Sequence, residues 1–111
     1  MNSVALTGTL TEDPELHEDG DEPVRCTMRL AVSRYARGGR REPGVVYVRA
    51  VTFGLEARDY AERFRRGDHI SVTGRIEQDR HHTPEGWRVD HSVLIDQLDP
   101  PPETKKDEEE Q

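Results

Sequence analysis

The stretch VVYVRAVTFGLEARDYAERFRRG, Val45 to Gly67, changes its hydrophobic period part-way along. Up to Phe53, one parity carries Val46, Val48 and Ala50, while the other carries Tyr47, Arg49, Val51 and Phe53. Period two is the mark of a strand with two different faces. After Gly54 the spacing becomes helical: Ala57, Tyr60, Ala61 and Phe64 fall on one face, and Gly67 supplies a C-terminal stop. The segment therefore predicts a strand that feeds one short helix. The strand's second face mixes aromatic rings with arginine.

Outward from this segment the alternation recurs. Val4, Leu6, Gly8 and Leu10 form one run, and Val24, Cys26, Met28, Leu30 and Val32 form another. Beyond the helix, residues 68–77 place Ile70, Val72, Gly74 and Ile76 inward, and residues 87–98 hold Val89, Val93, Leu94, Ile95 and Leu98. ARGGRREPG and HHTPEG punctuate the hairpins. Five strands with a helix after the third is the order of the OB-fold, an all-β Greek-key barrel whose central strands and loops bind oligonucleotides or oligosaccharides. The acidic run Glu12 to Glu22 reads as a solvated excursion. From Pro100 onward there is no large apolar residue, so residues 1–99 are expected to fold and 100–111 to form a disordered acidic tail.

Composition narrows the function classes. A chain of 111 residues with 32% hydrophobic and 35% charged residues predicts one soluble domain, with no material for a membrane span. One cysteine, Cys26, excludes an intramolecular disulfide and a cysteine-based zinc site, and its inward parity predicts a small core residue. His81, His82 and His91 lack a flanking ligand motif and read as surface residues. Without a basic, apolar leader at the N-terminus, the expected compartment is the cytoplasm, in association with the nucleoid. No catalytic spacing, phosphate loop or cofactor motif is visible, so neither enzyme chemistry nor a cofactor is expected.

The net charge of −7 argues at first against nucleic acid, but the charge is segregated. Residues 1–22 carry seven acids and no Lys or Arg, whereas residues 23–41 carry six arginines and no acid. Lysine occurs only at Lys105 and Lys106, so every cation of the expected folded part is Arg, a planar fork suited to phosphates and to stacking. A codon preference for Arg would produce the same usage.

The opening N-S-V-x-L-x-G-x-L-T-x-D-P-E, Asn2 to Glu15, resembles the start of bacterial single-stranded DNA-binding proteins. Val51 to Ala61 with its Phe53-Gly54 pair, Arg65-Arg66-Gly67-Asp68 and Val72-Thr73-Gly74-Arg75-Ile76 are similar to that family too, in order over residues 1–98. The resemblance implies base-stacking roles for Tyr47 and Phe53 and places Tyr35 near a third aromatic position. His81 stands where some members have Trp, and Trp87 across the hairpin is a candidate to compensate. With the surrounding arginines, the expected DNA-binding set is Arg34, Tyr35, Arg37, Arg40, Arg41, Tyr47, Arg49, Phe53, Arg65, Arg66, Arg75, Arg80, His81 and Trp87. An aromatic on a strand can equally be core, which leaves Tyr47, Phe53 and Trp87 open at this stage. The cluster Arg37, Arg40 and Arg41 can equally be a solvated hairpin tip.

The resemblance further implies a homotetramer. The chain departs from the family in its last residues, where Asp107 to Gln111 is acidic but has no apolar tip, so it is expected to be a short, tail-reduced paralogue without tail-mediated recruitment of replication enzymes. The leading expectation is an OB-fold protein that binds single-stranded DNA without strong sequence preference, through stacking and Arg–phosphate contacts, and protects it during replication, recombination or repair. Two rivals are an OB-fold protein-interaction module of the primosomal restart type and a small OB-fold nuclease.

Overall fold

The computed structural model describes residues 1–35 and 41–100, without the side chains of residues 35 and 41–43. The elements are β1 (Val4–Leu10), β2 (Glu15–His17), β3 (Arg25–Tyr35), β4 (Arg41–Phe53), α1 (Leu55–Arg63), β5 (His69–Thr83) and β6 (Gly86–Asp99). β1 pairs with β5, β5 with β6, β6 with β4, β4 with β3, and β3 returns to β1, so five strands close a ring. All these pairings are antiparallel except β4–β6. The architecture is that of the OB-fold.

Alternation sends one parity of β1, β3, β4 and β5 into this ring, and β6 changes parity along its length, burying Val93 and Ile95 and then Leu98. Leu10, Cys26, Met28, Leu30, Ala50, Ile70, Val72, Val93, Ile95 and Leu98 form the core, joined by Ala57, Tyr60 and Phe64 at the helix. The helix presents the face that its spacing predicted. Its stop comes earlier, at the cap residue Phe64, and Gly67 with a φ of 92° makes the turn behind it. That turn is tied to β1, since Gly67 N donates to Leu10 O and Leu10 N donates to Asp68 O, both at 2.9 Å. Cys26 is fully buried, and burial pushes its thiol up to about 11.

Three features differ from the sequence reading, the first being Ile76, which was expected inward and is half-exposed on the β5–β6 arm, beyond the barrel. The acidic run contains a sixth strand: β2 pairs with β3 through Glu15↔Thr27, Leu16↔Cys26 and His17↔Arg25. Three residues are too few to display a period, so the strand left no trace in the pattern. The β5–β6 hairpin is also longer than expected, with a two-residue turn at Pro84 and Glu85. β5 has fifteen residues, and from Arg75 to Arg80 all are exposed. The arm leaves the barrel where the register slips, because Thr73 faces Gln97 whereas Gly74 faces Ile95, which makes Asp96 the extra residue. At that point a Cβ on residue 74 would lie 2.0 Å from Leu94 O, so only glycine fits.

Candidate nucleic-acid interface

The face of β4 that points away from the core carries Tyr47, Arg49, Val51 and Phe53, as the alternation requires. Register with β3 places Ala31, Arg29, Thr27 and Arg25 directly opposite them in that order. The rings are not core: Tyr47 is 57% exposed and Phe53 49%. Arg29 stacks over Tyr47 with its guanidinium carbon 4.8 Å from the ring centroid, which holds the ring in place by a cation–π contact. Arg49 stands between the two rings, opposite Arg29.

The β5–β6 arm forms the other wall. Pairing puts Arg75, Glu77, Asp79 and His81 on one side of the arm with Leu94, Ser92, Asp90 and Arg88. Ile76, Gln78, Arg80 and His82 lie on the opposite side with Val93, His91, Val89 and Trp87. Adjoining clefts run between arm and barrel. One of about 380 Å³ is lined by Arg29, Tyr47, Arg49, Thr27, Glu12, Asp90 and His91, among others. The second, of about 240 Å³, is lined by Arg25, Arg49, Val51, Phe53, Glu77, Asp79, Ser92 and Leu94, among others. Arg49 belongs to both. The arrangement offers stacking platforms and guanidinium donors along adjoining clefts.

Of the residues singled out from sequence, the structure brings Tyr47, Arg49 and Phe53 together on one surface. Arg75 borders it, paired to Glu77 at 3.1 Å, and His81 lies farther along the same side of the arm, 3.6 Å from Asp90. Trp87 is 66% exposed, with His82 edge-on at 5.2 Å and Arg80 over its ring at 5.2 Å. It therefore sits on the side of the arm opposite His81, and strand alternation prevents it from replacing a ring at that position. Arg34 is exposed near the end of β3.

Arg65 and Arg66 stand apart at the helix exit and line neither cleft. The Arg65 guanidinium donates to the carbonyls of Ala61 and Phe64 at 2.6 and 2.8 Å, and Arg66 N donates to Asp13 Oδ1 at 2.8 Å. Arg37 and Arg40 lie outside the described residues, as do the side chains of Tyr35 and Arg41. The sequence reading missed Arg25 and Arg29, although their parity on β3 was visible and only the register to β4 was lacking. It also missed Asp79 and Asp90, because an arm exposed on both sides has no apolar period to reveal it. Among the described residues no group of three or more His, Cys, Asp or Glu side chains is placed to hold a metal ion. No helix there is long and apolar enough to cross a membrane.

Comparison with known proteins agrees with the fold. The model of the single-strand binding protein family matches residues 1–100. Single-stranded DNA-binding protein 1 of Lactococcus lactis is 30% identical over 89 residues, covering 80% of this chain and 59% of that protein. Single-stranded DNA-binding protein 3 of Listeria innocua is 32% identical, and single-stranded DNA-binding protein A of Bacillus subtilis 30%, each over 80% of this chain and 56% and 52% of its own length. The chain thus spans little more than half the length of these relatives.

Proposed function

The chain belongs to the single-strand binding protein family, and from that premise we propose that it binds single-stranded DNA by stacking bases on Tyr47 and Phe53 while arginines contact the phosphates. The observation that carries this reading is the exposed pair of rings on one strand face with Arg49 between them and Arg29 braced on Tyr47. Every base has a π-face, so such a surface accepts any sequence, and neighbouring cations neutralise the backbone. No step of bond making is involved; the protein acts by occupying strands exposed in replication, recombination or repair. The reading places it in the cytoplasm, on the nucleoid. An interaction module of the primosomal restart type has no support in these matches.

Arg34, Arg75, Arg80, His81 and Trp87 extend the proposed surface along the barrel rim and the arm. We also propose a homo-oligomer, with a tetramer as the family resemblance implies; Val45, Val46, Ile76 and Val89 are exposed apolar residues that association would cover. Residues 100–111 are proposed as an acidic tail outside the binding domain. The test is a titration with oligo(dT) of increasing length, following the fluorescence of Trp87, the one tryptophan, together with the mass of the complex. Saturable binding with a defined site size is expected. Absence of binding at low salt would overturn the proposal.

A further inference from the structure

The cleft beside Phe53 is not lined as a simple phosphate groove would be. Two like-charged pairs stand in register: Arg29 opposite Arg49 on β3 and β4, and Asp79 opposite Asp90 on β5 and β6. Each pairing is unfavourable taken alone, since like charges directly across a ladder repel. The arginine pair and the aspartate pair form opposing walls. Arg29, Arg49 and Asp90 share the larger cleft, and Arg49 and Asp79 share the smaller. Opposite charges lining one cleft are candidates to pair across it, yet no salt bridge joins the two walls among the described residues.

The remaining commitments isolate one chamber. Arg29 is spent on the Tyr47 ring, Asp90 has His81 beside it, and Glu77 is held by Arg75. Arg49 and Asp79 have no ion-pair partner among the described residues. Arg25, which lines the same chamber, has a buried Nε with no hydrogen-bond partner. The chamber measures about 240 Å³, with Val51 and Leu94 as apolar lining and the half-exposed ring of Phe53 at its edge. It therefore presents an aromatic surface, guanidinium donors on one wall and a carboxylate acceptor on the other.

A phosphate carries only acceptors and would be repelled by Asp79. A flat ring with acceptors on one edge and donors on another matches both walls. Guanine has that pattern: O6 and N7 accept from an arginine fork, and N1–H with the N2 amine donates two parallel bonds to a carboxylate. Thymine has no amine and offers a carboxylate only N3–H between two repelling carbonyls. Adenine and cytosine each present one amine and no adjacent ring N–H. We propose that the chamber bounded by Phe53, Arg25, Arg49 and Asp79 is a base-selecting subsite that prefers guanine, with Asp79 as the residue that determines the preference. This rests on the reading of the face as a single-stranded DNA interface, and ranks bases at one subsite of a channel that otherwise accepts any sequence.

The experiment is an equilibrium titration of the full chain with oligo(dT) of one length and with the same oligonucleotide carrying a single central dG, dA or dC. The dG strand is expected to bind at least fivefold more tightly than oligo(dT), the scale of one good bidentate base contact. Asp79→Asn should reduce that preference, read as the ratio of dG-strand to oligo(dT) affinity, below twofold, and Asp79→Glu, which retains the carboxylate, should keep the preference. Loss of the fold is not expected in either variant, because Asp79 is exposed and the Asn variant relieves its repulsion with Asp90. Equal affinity for all four strands, or a dG preference that survives Asp79→Asn, overturns the subsite and leaves the DNA-binding reading intact. Failure of every strand to bind overturns that reading and the subsite with it.

Discussion

The two halves of β5 share one backbone ladder and do opposite things. From His69 to Gly74, alternate residues are buried and the strand is part of the barrel wall; from Arg75 to Arg80 every residue is exposed, and the strand is one side of an arm. β6 repeats the division in reverse, with Trp87, Arg88 and Val89 exposed and Val93, Ile95 and Leu98 buried. The difference lies in what holds each half. The barrel half is fixed by apolar burial on its inner parity, which supplies most of the stability of a small domain. The arm half is held by pairing to its neighbour and by its anchorage at Gly74, so its side chains are free to carry charge and rings to a ligand. A closed barrel that needs no outer side chains can hold a channel of charged groups, Arg49 and Asp79 among them, that would be costly in a core.

The sharpest way to break this comparison is to substitute on either side of the slip. Gly74→Val should cost about 4 kcal/mol or more, or prevent folding, because its side chain would have to occupy the space of the Leu94 carbonyl. Gln78→Val, four residues along the same strand, should change stability by no more than about 0.5 kcal/mol. Denaturant unfolding of the two variants measures the contrast. Similar costs at both positions would mean that the arm is as integral to the fold as the barrel.

Cys26 tests the barrel side by titration. Its thiol is held neutral up to about 11 in the fold against an ordinary value of 9.0, so it is protonated in both states below pH 9 and contributes no pH dependence there. Between pH 9.0 and about 11 the unfolded chain ionises first, and stability should fall by up to about 1.4 kcal/mol per pH unit. Cys26→Ala should have lower stability throughout but a shallower decline in that window. Parallel pH profiles for the two proteins would show that the thiol is not desolvated.

The arm side is tested by salt. Affinity for oligo(dT) should fall steeply with ionic strength, and Arg80→Ala should lower the logarithmic slope by about 0.7, the contribution of one neutralised phosphate on a single strand. Thermal stability should not change, since Arg80 is exposed and its guanidinium lies over the exposed Trp87 ring. An unaltered slope would remove Arg80 from the interface.

These two regimes also decide how much could be read from the chain. The barrel was legible because most of its strands alternate: Val4 to Leu10, Val24 to Val32 and Ile70 to Gly74 each bury one parity, and the helix announced itself by the change of period after Phe53. The rings Tyr47 and Phe53 were legible for the same reason, on the parity that the core did not use. What escaped had no period to show. β2 is three residues long, and the arm is exposed on both sides, so nothing in the pattern marked Asp79 or Asp90. The facing of Arg29 to Arg49 depends on the register of β3 against β4, which alternation alone does not determine.

The central claim is that Tyr47 and Phe53 serve a ligand and not the fold. Its most direct test is to measure, on the double variant Tyr47→Ala/Phe53→Ala, both the affinity for oligo(dT) and the thermal unfolding midpoint. Stacking contributes about 1–3 kcal/mol per base, so binding should weaken by at least tenfold while the midpoint stays within a few degrees of the parent protein. Undiminished binding, or a variant that unfolds at ambient temperature, would contradict the account.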